Sequence, residues 1–108
     1  MIIDPNEAIN YIMKHAKAIG DAKGNVDYLK EYRKTVVAIG FQQSLKKTVA
    51  EREADSYTTQ EFKTCILGIK EAVAEAERLR WMMIAAQMRG ECWRTMEASN
   101  RVLERATL

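Results

Sequence analysis

One proline, two cysteines and a single histidine in 108 residues leave little room for several kinds of chemistry. With His15 alone, the Glu-x-x-His pairs of a di-iron carboxylate bundle and the His-Glu-x-x-His zinc arrangement are both excluded. The five glycines form neither a Gly-x-Gly-x-x-Gly turn nor a phosphate loop. No stretch approaches about 18 consecutive apolar residues, so no spanning helix is expected. The opening Met-Ile-Ile-Asp-Pro has no basic n-region, which points to a soluble, non-secreted protein. Cys65 and Cys92 are 27 residues apart. If one helix carries both, they lie about 180° around it and about 40 Å along it, too far for a bridge. Reduced thiols in a cytoplasm follow.

Charge of one sign is also missing. Seventeen basic residues oppose 15 acidic ones, for a formal charge of +2. Each half of the chain is near balance, so no whole-protein field draws in DNA or a membrane. The composition, 47% hydrophobic, suits one small domain with a modest core.

What is present is helical periodicity. Glu61 to Arg105 holds no proline, and Phe62, Cys65, Ile66, Ile69, Val73, Ala76, Leu79, Met83, Ala86 and Trp93 recur at helical spacing. As one helix it is about 68 Å long, roughly twice the diameter of a compact globule of this length. Something besides this chain is then expected to cover part of it. Before it, Asp4-Pro5-Asn6-Glu7 is a helix start. A first helix is predicted over about 5–19, with Ile9, Ile12, Met13, Ala16 and Ile19 inward, closed by a turn at Gly20–Asn25. A second is predicted over about 26–55, using Val26, Leu29, Tyr32, Val36, Ile39 and Gln43. Gly40 inside it means either that another helix passes close by, the favoured reading, or that the helix weakens there. Thr48 and Glu51 match a capping box, so the pattern admits either a break near 46–48 or a continuous helix. Thr58 with Glu61 is a further match opening the third helix, about 60–105. The fold expected is all-α, a single domain of two shorter helices packed on one long C-terminal helix, in a helical-bundle oligomer.

No catalytic residue, metal ligand or cofactor is assigned, and no enzyme is expected. Glu75 with Arg78, Glu91 with Arg94 and Glu97 with Arg101 have the spacing of exposed helix ion pairs. The lone histidine is in another helix from either cysteine, and both thiols are read as buried packing. Two sets of residues carry interaction readings. Trp81 to Met88 is apolar around the whole helix, and Trp81, Ile84, Met88, Cys92 and Met96 make a second stripe fit for self-association or a partner. Lys30, Arg33 and Lys34, with Arg89 and Arg94 further on, are candidate phosphate contacts, diluted by interleaved acids.

Four strings are familiar together: Tyr28-Leu-Lys-Glu-Tyr-Arg-Lys, Ala50-Glu-Arg-Glu-Ala, Glu75-Ala-Glu-Arg-Leu-Arg-Trp81 and Cys92-Trp-Arg-Thr-Met-Glu-Ala-Ser-Asn-Arg101. Over about residues 25–105 the chain resembles short helical proteins of tailed bacteriophages and prophages, found among early genes near single-strand annealing and recombination functions. The resemblance implies a bacterial-cytoplasm setting and an accessory role in DNA recombination or replication. It carries over no catalytic residue. The function expected is a non-enzymatic phage accessory protein acting through self-association, as a dimer or larger even oligomer, and through binding a recombination or replication protein. Direct DNA binding and inhibition of a host defence protein are the alternatives.

Overall fold

The computed structural model describes residues 4–107, and among them every regular element is a helix. The order is α1 (Pro5–Gln43), α2 (Val49–Ser56) and α3 (Gln60–Thr107), with α3 packing against the others. Contacts gather these residues into two compact units: one holds 20–77, the other holds 4–19 with 78–107.

The expected two shorter helices are instead a 39-residue helix and an 8-residue one. The predicted turn at Gly20–Asn25 is continuous helix, and no glycine has positive φ. Asp4 starts α1 as expected, its Oδ1 accepting from Asn6 N at 2.9 Å. Two glycines in a helix interior cost about 1 kcal/mol each. Burial outweighs that cost, because covered positions run on through the glycines in alternating steps of three and four. On α1 they are Ala8, Ile12, His15, Ile19, Ala22, Val26, Leu29, Arg33, Val36 and Gly40. A turn after Ile19 would throw Val26 and Val36 out of phase. On α3 the same spacing gives Phe62, Cys65, Ile69, Ala72, Ala76, Leu79, Met83, Ala86, Gly90, Trp93 and Glu97. This is the spacing of a coiled-coil seam.

In the unit of residues 20–77, Val26, Val36 and Ala72 are buried, with Leu29, Phe41, Phe62 and Ile69 half-buried around them. The inward set differs from the predicted stripe: Tyr32 and Ile39 are each 44% exposed and Gln43 is exposed, while Arg33 and Gly40 lie inward. The chain leaves α1 after Gln43 and re-enters helix at Val49, where Thr48 Oγ1 accepts from Glu51 N at 3.1 Å. Ser44 Oγ donates to Asp55 Oδ2 at 2.8 Å, and Arg52 Nε donates to Lys46 O at 2.9 Å. These bonds fold the corner back so that Ser56, fully buried, passes Gly40. A Cβ at Gly40 would lie 3.0 Å from Ser56 Cα, which is the close neighbour that the mid-helix glycine implied. The cap of α3 is Thr59, whose Oγ1 accepts from Phe62 N at 3.1 Å, one residue beyond the predicted Thr58. The hydroxyl of Thr58 donates to Asp55 O instead.

In the unit of 4–19 and 78–107 the buried residues are Ala8, Leu79 and Ala86. Ile12, Ile19, Met83 and Trp93 are half-buried beside them, and the rings of Tyr11 and His15 meet at 4.2 Å. Ile9 and Met13, expected inward, are 54% and 74% exposed. From Ala98 to Thr107 every residue is exposed.

Candidate interaction surface

The seam on α3 determines what its opposite face carries. Trp81 lies two residues beyond Leu79 and two before Met83, so at 100° per residue it points about 160° from both. Met88 stands the same way between Ala86 and Gly90. Both are 59% exposed, and Met96 is 48% exposed on the neighbouring edge. Cys92 is exposed beside Met88, contrary to the expected buried thiol. The Arg80 guanidinium covers part of the Trp81 ring at 5.3 Å.

Four of the five stripe residues, Trp81, Met88, Cys92 and Met96, thus form one exposed band with Met82 and Ala85. Ile84 falls on the other edge, beside Gln87 and Glu91, and is half-buried. Ala72 and Ala86 are buried on the seam, while Gly90 lies on it half-buried with open space where a Cβ would be.

That small-residue seam leaves open grooves on both its sides. One of about 550 Å³ is lined by Ile9, Ile12, Gly90 and Trp93, with Arg94 at its rim. The other, about 300 Å³, is lined by Tyr11, Met82, Ala85 and Arg89. Arg89 and Arg94 are therefore on different flanks of α3, about 140° apart, and make no common patch. In the other unit Lys30 is exposed, while Lys34 pairs with Glu31 at 3.1 Å. Arg33 is half-buried, its guanidinium 5.4 Å from the Phe62 ring and 5.9 Å from the Tyr57 ring. Those rings meet edge to face at 5.2 Å. Arg33 thus packs its guanidinium against two rings, half-buried between exposed Lys30 and paired Lys34.

Sequence reasoning passed over one feature of this unit. Tyr28 and Tyr32, one helical turn apart, stack at 5.9 Å on an exposed face. Tyr32 lines a groove of about 510 Å³ with Leu29, Thr64 and Gly68. Their i,i+4 spacing was the available signal; placing Tyr32 in the core stripe hid it.

Among the described residues no three His, Cys, Asp or Glu side chains gather as a metal site, and no helix is long and apolar enough to cross a membrane. No family model, curated protein or solved structure matches the chain.

Proposed function

We propose that this protein is a non-enzymatic accessory protein that works by self-association through the outer face of α3. The observation that carries this reading is the band formed by Trp81, Met88, Cys92 and Met96, exposed on the face turned away from α1. Tryptophan and methionine are enriched where proteins meet, and contiguous apolar surface is seldom left to water without use. The setting, a phage early region serving DNA recombination or replication, rests on the sequence resemblance. Binding of a recombination or replication protein belongs to the same proposal. Direct DNA contact is the weaker reading, since Arg33 is occupied by two rings and Lys34 by Glu31.

Light scattering at micromolar concentration tests the self-association. The wild type is expected at twice the chain mass or a larger even multiple, and Trp81→Glu and Met88→Glu are expected to lower it to one chain while leaving far-UV helicity intact. A monomeric wild type refutes the proposal. Titration with duplex and single-stranded DNA in the same buffers separates the alternative, which requires affinity that falls steeply with salt.

A further inference from the structure

The pattern of side-chain sizes on the outer face of α3 bears on how two copies meet. Large residues at Trp81, Met88 and Val102 alternate with small ones at Ala85, Cys92 and Ser99, in steps of four and three through Thr95. All are exposed. This is a second run of coiled-coil spacing, on the face away from the seam with α1.

With Met82, Met96 and Leu103 along its edge, the band exposes on the order of 700 Å² in all, comparable with the largest apolar patches of monomers and somewhat short of the roughly 800 Å² that each partner contributes to a standard interface. Between Trp81 and Leu103 the charges flanking it are Arg89 on one edge and Glu91 on the other, of opposite sign, so nothing on the band selects a strongly charged partner.

We infer that the occupant is the same band of a second copy, with the two α3 helices antiparallel. The inference rests on the self-association proposed above and adds its orientation. In a parallel pair, equivalent residues share a layer. Trp81 would then crowd Trp81 of the other copy while Ala85 faced alanine across a gap, and overfilled layers would alternate with empty ones. Antiparallel pairing sets each large position over a small one, with Trp81 and Met88 over Cys92, Ala85 or Ser99. The twofold axis then falls between Trp81 and Cys92. Registers that keep large over small leave one of Ala85 and Cys92 about 4–6 Å along the axis from its own copy, and the other about 15 Å or more.

Single-cysteine proteins in a Cys65→Ser background test this with a short bismaleimide. One retains Cys92; the others carry Cys92→Ser with Ala85→Cys or with Ser99→Cys. Antiparallel pairing predicts covalent dimer from either the Ala85→Cys protein or the Cys92 protein, and none from Ser99→Cys. Efficient linking of all three would show parallel helices and overturn the inference while leaving self-association intact. Linking of none, in a protein that light scattering shows to be dimeric, would place the interface elsewhere and also overturn it. A monomer would fail at the earlier step, refuting the proposed function itself.

Discussion

Replacing Gly20 and Gly24 by alanine distinguishes the continuous α1 from the turn that local sequence chemistry suggests. Both glycines are exposed, and a Cβ built on either meets nothing within 4 Å. Neither has positive φ. Each substitution therefore removes only the entropic cost of glycine in a helix, about 0.8–1 kcal/mol. Together they should stabilise the protein by about 1.5–2 kcal/mol, which for a chain this size raises the melting temperature by roughly 6–10 °C. Thermal and urea unfolding followed by far-UV circular dichroism at one protein concentration provide the readout. Gly40→Ala is the internal contrast. It gains the same helix propensity, but its Cβ would meet Ser56 Cα at 3.0 Å, a backbone atom that cannot swing aside. Overpacking of this kind costs about 1–3 kcal/mol, so the net effect should be destabilising. Were Gly20 the left-handed residue that ends a helix, alanine there would destabilise by about 1 kcal/mol or more. That result would refute the uninterrupted seam.

Other substitutions probe the packing directly. Arg33→Ala loses contact with two rings and should cost about 1–2 kcal/mol in urea unfolding, with Arg33→Lys recovering only part because a compact ammonium cannot lie flat on both. Thr59→Ala should cost about 1 kcal/mol through loss of the α3 cap, more than Thr58→Ala, whose hydroxyl only donates to a nearby carbonyl. An equal or reversed order would move the cap back to the predicted position. Leu79→Ala should cost about 2–3 kcal/mol, whereas Met13→Ala, at a site 74% exposed, should stay within about 0.5 kcal/mol.

Features dictated by local chemistry were legible in the residues. Asp4 before Pro5 and the Thr48 cap of α2 follow from short-range stereochemistry, and a glycine inside a helical pattern at Gly40 signals a close neighbour without naming Ser56. The one-residue displacement of the α3 cap lies between two residues of like capping chemistry: Thr59 accepts from Phe62 N, while the Thr58 hydroxyl donates to Asp55 O. The inward face of α1 was far less legible. Its seam is made of Ala8, His15, Ala22, Arg33 and Gly40 as much as of isoleucine and valine. The more apolar Ile9, Met13, Tyr32 and Ile39 lie outside it. Ranking positions by hydrophobicity therefore selects the wrong face. The regular alternation of three and four is the better guide, because small residues are what allow two helix backbones to approach.

The same reasoning bears on the interaction surface. By length alone, a 45-residue helix calls for a partner, since it outgrows a compact globule. A 39-residue α1 removes much of that force, because a second long helix supplies cover for the inner face of α3. It also sharpens what remains. A helix covered along one seam satisfies its apolar residues on that seam and should be polar opposite. Between Gln60 and Arg80 the outer face is mixed, with Lys63, Lys70 and Glu71 outward beside Leu67, which is 58% exposed opposite the seam. From Trp81 onward the outward apolar residues are larger and closer together: Trp81 and Met88, seven apart, and Val102, fourteen further on, keep the heptad period of the seam but on the opposite face. Trp81→Glu should therefore leave the seam intact and act only on association. An equal loss of stability in a dilute monomeric sample would mean that Trp81 supports the fold of its own chain.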